Sequence, residues 1–153
     1  MQLRDLHSKP GHLIRRAQQI AVAIFMEECA GYDLTPVQYA ALVAIRENPG
    51  TDATRLSALI AFDRSTLGNV LERLEARKLV TRYASPDDKR IKLLKLSAAG
   101  SALVARAQAA VERAQERILA PLKPGDRKKL MELLSALVEL NNDASRAPQR
   151  LAG

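Results

Sequence analysis

At 153 residues the chain has the length of one domain with room for a hydrophobic core, and its formal net charge of +7 favours a polyanionic partner. A single cysteine, Cys29, excludes an intrachain disulfide, and no apolar run approaches the roughly 20 residues of a membrane-spanning helix. With no Trp, two Phe and three Tyr, the chain has few stacking platforms for single-stranded nucleic acid.

Residues 1–12 are polar and carry Arg4, Lys9 and Pro10, unlike a secretory leader. A cytoplasmic protein is therefore expected, with residues 1–10 as a flexible lead-in. A first helix is expected from about Gly11 to Cys29, where Leu13, Ala17, Ile20 and Ile24 form one apolar stripe. Thr35 and Pro36 have the character of an N-cap and a first helical residue, and Asn48-Pro49-Gly50 stops the helix they open.

The segment Ala53–Leu96 is the most informative. Asp52 can cap a short helix holding Leu56, Leu59 and Ile60, and Asp63 can cap the next. There Leu67, Val70, Leu71 and Leu74 fall at i, i+3, i+4 and i+7, the spacing of one buried face. Two strands follow at about 79–84 and 91–96, joined by Ser85-Pro86-Asp87-Asp88-Lys89-Arg90. Between Arg64 and Lys95 there are nine basic and four acidic residues, an excess of five positive charges in about a fifth of the chain. A helix for the major groove beside a basic two-stranded wing is the layout of a winged helix–turn–helix that reads duplex DNA.

Ser97 caps a long helix to about Ala120, and Lys123-Pro124-Gly125 breaks the chain before a last helix striped by leucines at 130, 133, 134, 137 and 140. From about Ala147 the chain is expected to fray. The outer helices are long for so small a head, and their apolar stripes call for a partner chain. The fold class is thus mainly α with a small β-wing. A single domain over 1–153 is expected, with the DNA-binding head at 35–96 and homodimerisation helices at 11–30 and 98–145.

With the leucine face inward, Ser65, Gly68, Asn69 and Glu72 point away from the core. Asn69 suits a bidentate pair with adenine, Ser65 and Thr66 suit bases or phosphates, and Gly68 permits close approach. Glu72 either accepts from a cytosine amine, sits at the rim or pairs with Arg73. Arg64 and Arg73 are candidate phosphate clamps, and Lys89, Lys92 and Arg82 are candidates for phosphate contact or wing support. No Gly-rich phosphate loop, nucleophile elbow or paired carboxylates occur, and His7 and His12 form no metal-binding set with Cys29. No enzyme activity, cofactor or metal is expected, and Cys29 reads as a buried thiol.

Taken in order, Leu34-Thr35-Pro36-Val37-Gln38-Tyr39, Asp63-Arg64-Ser65-Thr66, Leu74 to Val80, Arg82, the Pro86-Asp87-Asp88-Lys89-Arg90 wing and Leu96-Ser97-Ala98-Ala99-Gly100 resemble the MarR family of winged-helix transcriptional regulators over about residues 12–142. The resemblance implies a homodimer on a pseudo-palindromic, double-stranded operator. It places Arg90 in a minor groove, where a narrow A·T-rich tract attracts a guanidinium, with Asp88 orienting it. Two positions depart from the family pattern: Lys78 stands where glycine is common, and Ser85 where an acidic residue is common. A left-handed Lys78 would carry a steric cost.

The run His12-Leu13-Ile14-Arg15-Arg16-Ala17-Gln18-Gln19, with Leu34 to Tyr39, is similar to the family's repressors of aromatic-acid catabolism, including nicotinate-degradation (NicR-type) repressors. That implies a repressor released by a small aromatic acid, hydroxybenzoate- or hydroxynicotinate-like. Family ligands bind between the dimerisation helices and the head. His12 and Arg16 are the matching candidates on the first helix, with Arg16 on the carboxylate, and Gln38 and Tyr39 are candidates for the opposite wall. The alternative is a winged-helix architectural or protein-interaction module without an effector.

Overall fold

The chain runs through ten regular elements, described for residues 2–151 in a computed structural model. They are α1 (Leu3–His7), α2 (Pro10–Glu28), α3 (Pro36–Glu47), β1 (Thr51–Asp52), α4 (Ala53–Ile60), α5 (Arg64–Ala76), β2 (Val80–Ala84), β3 (Lys92–Leu96), α6 (Ala98–Leu119) and α7 (Pro124–Leu140). Short 3-10 turns lie at Ala30–Tyr32 and Asn142–Ala144.

The helix starts follow from their capping chemistry. Thr35 and Gln38 form a reciprocal capping box: the Gln38 N–H donates to Thr35 Oγ1 at 3.2 Å, and the Thr35 N–H donates to Gln38 Oε1 at 3.1 Å. Asp52 accepts from the Arg55 N–H, Asp63 from the Ser65 N–H, and Ser97 Oγ from the Gly100 N–H. Each satisfies a first-turn donor that has no partner inside its helix. Helix α5 ends in a Schellman motif. The Leu79 N–H reaches the Leu74 carbonyl, the Lys78 N–H reaches that of Glu75, and Lys78 is left-handed at φ 58°.

The core lies where α3, α4 and α5 meet β3 and the start of α6. Leu42, Ile45, Leu56, Leu67, Leu71, Leu74, Leu94 and Val104 are fully buried there. Val70 lies at the edge of that core, partly buried. Gly100 seats α6 directly on the loop before β2: a Cβ at this position would run into the Leu79 carbonyl. A second cluster packs Phe25 and Cys29 of the α2 end against Ala110 and Ala114 of α6. Burial pushes the Cys29 thiol up, and the Glu28 charge adds to the shift, so the thiol stays protonated. On the surface of the α2–α6 pair, Glu28 takes both Arg113 (3.1 Å) and Arg117 (2.8 Å), and Arg117 also takes Glu27 (2.9 Å).

Three expectations change. The lead-in is helical over Leu3–His7, because Gln2 and Asp5 close a capping box around its first turn. The wing sheet has three strands in the order β1-β3-β2: Thr51 pairs with Leu94 and Asp52 with Leu93 on the outer side of β3. Two residues are too short for any periodicity to show. In the segment after Ala147, Gln149 and Arg150 are held rather than frayed, and residues 152–153 lie outside the described residues. The Arg150 N–H donates to the Ala58 carbonyl and Gln149 Nε2 to the Leu59 carbonyl, both on the last turn of α4.

Helix α6 carries the chain about 33 Å from the head at 1.5 Å per residue, and α7 brings it back. No residue of α7 is buried, and Leu130, Leu133, Leu134, Leu137 and Leu140 are all exposed, as are Leu13 and Ile20 of α2. No helix among the described residues is long and apolar enough to cross a membrane.

Candidate nucleic-acid interface

The inward leucines of α5 leave Ser65, Asn69, Glu72 and Arg73 on its outer side, all exposed. The Asn69 side chain makes no hydrogen bond among the described residues, so its amide is open to an external partner. A Cβ on Gly68 would meet nothing within 4 Å, so this glycine serves no internal packing. Its open surface is what a close approach by another molecule needs. Arg64 and Arg73 likewise form no ion pair among the described residues, and Glu72 does not pair with Arg73.

Ser65 and Thr66 are partly committed to the cap. Ser65 Oγ donates to Asp63 Oδ1 at 2.9 Å, and Thr66 Oγ1 donates to the Asp63 carbonyl at 3.1 Å. Both hydroxyls keep lone pairs for accepting but have their own proton in use. The two hydrogen bonds from Ser65, then the charge of Arg146, hold the Asp63 carboxyl below its ordinary range.

The wing is an antiparallel ribbon in which Val80 pairs with Leu96, Arg82 with Leu94 and Ala84 with Lys92. Its tip is closed by the Ser85 N–H on the Ile91 carbonyl and the Ile91 N–H on that of Asp88. Ser85 is buried, and its Oγ accepts the Asp87 N–H at 3.3 Å. The serine that replaces the family's acidic residue is thus a staple of the turn. Arg90 is gripped at both ends of its fork: Nε meets Asp88 Oδ1 at 3.0 Å and Nη2 meets Oδ2 at 2.9 Å, while the Arg90 N–H also donates to Oδ1. The guanidinium nevertheless stays 91% exposed. It is a pre-oriented cation at the tip of a projecting ribbon, the geometry a groove-inserting arginine needs. Lys89 beside it is exposed.

Arg82 points inward from β2 and meets Glu75 of α5, Nε to Oε2 at 2.7 Å. Its Nε and Nη2 are both buried without a hydrogen-bond partner, so the contact is an ion pair without hydrogen-bond alignment. The residue therefore ties the wing to the helix while lining the same cleft as Lys92. The cleft between the start of α4, α5 and the wing is lined by four cations, Arg64, Arg82, Arg90 and Lys92, against one carboxylate, Asp52. Periodicity alone does not single out Glu75. An acid–base pair between neighbouring elements becomes visible only once they are packed.

The four ligand candidates are not gathered by one chain. Gln38 is buried, and its amide oxygen is used by the capping box. The Tyr39 ring packs tilted against Phe25, centroids 6.3 Å apart, near the C-terminal end of α2. Half-buried His12 and exposed Arg16 lie at the other end of that helix, about 20 Å and 14 Å from the level of Phe25 at 1.5 Å per residue. His12 contacts Arg15 at 3.3 Å and stacks on His7 at 5.1 Å. Desolvation, then the charges of Arg15, His7 and Arg16, push its pKa below the ordinary histidine value. Among the described residues no group of three His, Cys, Asp or Glu is placed to hold a metal ion.

A capped recognition helix with an open polar face, flanked by a wing whose tip arginine is pre-oriented, defines a winged-helix DNA-binding protein. Comparison with known proteins places it further. The MarR family model matches residues 32–91. The chain is 29% identical over 140 residues to the HTH-type transcriptional repressor NicR of Pseudomonas putida, covering 92% of this chain and 89% of that one. It superposes on a probable transcriptional regulator from Pseudomonas aeruginosa with a TM-score of 0.81 at 38% identity, over 86% of this chain and 98% of that one. It also superposes on Bordetella bronchiseptica BpsR, whose DNA binding is regulated by 6-hydroxynicotinic acid, with a TM-score of 0.79 at 33% identity over 86% and 94% of the two chains. The chain belongs to the MarR family of transcriptional regulators.

Proposed function

We propose that the protein is a homodimeric repressor that binds a pseudo-palindromic operator and is released from it by a small aromatic or heteroaromatic acid. The observation that carries the DNA-binding half is the pairing of a free Asn69 on an open helix face with an Asp88-oriented Arg90 at the wing tip. Asn69 reads a base edge in the major groove, with Ser65 and Thr66 placed to accept from base amines. Arg64, Arg73 and Lys89 hold phosphates, Arg90 enters the flanking minor groove, and Arg82 braces the wing.

The bare leucine stripe of α7 and the exposed face of α2 support the dimer, since apolar surface of this extent marks an interface. Dimerisation also offers a way to complete the effector site. His12 and Arg16 of one protomer would meet the Gln38–Tyr39 edge of the other, with Arg16 on the acid's carboxylate. The acid then favours a spacing of the two heads that fits DNA poorly, and its differential affinity sets the extent of release. The similarity to BpsR, whose DNA binding is regulated by 6-hydroxynicotinic acid, supports this ligand class.

Fluorescence anisotropy on DNA from upstream of the protein's own gene tests both halves. Salt-sensitive, saturable binding that is reversed by 6-hydroxynicotinate or 4-hydroxybenzoate is expected. Absence of salt-sensitive binding overturns the DNA reading. Intact binding that no aromatic acid reverses leaves an architectural module without an effector.

A further inference from the structure

The C-terminal segment lies against the helix–turn–helix, where nothing in the recognition helix or wing requires it. Two of its donors meet carbonyls on the last turn of α4, a turn whose carbonyls find no acceptor role inside the helix: Arg150 N to Ala58 at 2.9 Å and Gln149 Nε2 to Leu59 at 3.0 Å. The segment is closed on itself by Asn142, whose Nδ2 donates to the Gln149 carbonyl at 3.0 Å and whose Oδ1 accepts the Gln149 N–H at 2.8 Å. Arg150 is further held by Asp143 at 2.7 Å. These ties deliver one more side chain to the turn. Arg146 Nη2 lies 3.1 Å from Oδ2 of Asp63, the cap of α5, and the Arg146 side chain is 89% exposed.

That position has an electrostatic consequence. The N-terminus of a helix attracts phosphate through its free N–H groups and dipole, but here the cap is a carboxylate, which repels phosphate. Arg146 neutralises Asp63 and leaves most of its own N–H donors facing solvent, next to exposed Arg64, Ser65 and Thr66. The arrangement repeats that of Asp88 and Arg90, in which a carboxylate orients an exposed guanidinium.

We infer that the C-terminal segment is a third element of the DNA-binding surface, with Arg146 as a phosphate contact beside the start of the recognition helix. The inference rests on the DNA-binding reading above. A phosphate contact is independent of base sequence, so a mixed-sequence duplex is a sufficient probe.

The test is the salt dependence of binding to that duplex, measured by anisotropy for the full chain and three variants. In Arg146→Ala the slope of log K against log salt falls by about 0.9 for each C-terminal segment engaged. Arg146→Lys keeps the charge and retains the slope. Lys128→Ala removes an equal charge on α7, remote from the head, and leaves the slope of the unaltered protein. If the unaltered protein binds with a steep slope and Arg146→Ala matches Lys128→Ala, Arg146 is only a partner for Asp63 and the inference falls alone. If the unaltered protein shows no salt-sensitive binding, the DNA-binding reading falls and takes this one with it.

Discussion

Arg82 of β2 and Glu75 of α5 meet at 2.7 Å, so the wing is fastened to the far end of the recognition helix. The contact links the orientation of the wing to that of the helix it flanks. The pair is partly exposed, at 30% and 47% for the two side chains. A double-mutant cycle with Arg82→Ala and Glu75→Ala is therefore expected to give a coupling of about 0.5–1 kcal/mol in thermal or urea unfolding. Each single variant weakens DNA binding by loosening the wing. A coupling of zero would mean that the contact positions nothing.

The outer face of α5 divides into residues that read and residues that hold. Asn69→Ala is expected to cost about 1–3 kcal/mol of discrimination at one base pair while leaving the salt slope unchanged. Arg73→Ala is expected to weaken binding to all sequences alike and to lower the slope by about 0.9 per recognition helix. Titrations against operator variants over a salt series separate the two. A sequence-independent loss in Asn69→Ala would remove it from the base-reading role.

Lys78 completes the Schellman motif of α5 at φ 58°, a conformation in which its Cβ is crowded. Glycine relieves that crowding but adds freedom to the unfolded chain. Since the left-handed cost is about 1–2 kcal/mol for a residue with a Cβ, Lys78→Gly is expected to raise stability by up to about 1 kcal/mol. Chemical denaturation of the two proteins measures the gain, and a loss of stability would show that the lysine side chain has a compensating contact.

Gly100 has no room for a side chain, because the Leu79 carbonyl and a Leu96 methyl occupy the place of a Cβ. Gly100→Ala is expected to push α6 off the loop before β2 at a cost of about 1–3 kcal/mol. Because α6 is the link between head and outer helices, cooperativity of unfolding is expected to fall as well. An unaltered melting curve would contradict the close packing.

Glu28 sits between Arg113 and Arg117, and hydrogen bonds from Arg117 and then Arg113 hold its carboxyl below the ordinary range. A carboxyl depressed in the folded state stabilises at pH values above its unfolded pKa, about 4.3 for glutamate. That contribution is lost as pH falls through the folded value. Acidification below about pH 4.3 is thus expected to loosen the α2–α6 pair. Glu28→Gln is expected to melt lower at neutral pH and to show a shallower decline on acidification. The remaining decline comes from Asp63 and Asp88, which are depressed in the same direction. Melting temperatures of both proteins across the acid range decide this, and parallel profiles would remove Glu28 from the account.

The boundaries of the long elements were legible in the chain because their signals are local. Thr35, Asp52, Asp63 and Ser97 each cap the helix that follows them, and Pro36 and Pro124 each stand at a first helical position. The leucine spacing from Leu67 to Leu74 assigned the outer face of α5, and with it Asn69. The clustered charge between Arg64 and Lys95 marked the wing. All of these depend on residues within a turn or two of one another, where backbone geometry leaves few choices.

Tertiary packing decided the remainder. Strand β1 exists because β3 has an open edge beside Thr51. Arg82 turns inward because Glu75 waits on the neighbouring helix. The distance along α2 separates His12 and Arg16 from Gln38 and Tyr39, so that no single chain unites them. Gln149 and Arg150 are held because α7 returns them to the unpaired carbonyls of α4, which places Arg146 on the cap of the recognition helix. Contacts between Arg146 and Asp63, eighty-three positions apart, carry no periodic signature. They arise only when the folded chain brings an unsatisfied group within reach of its complement.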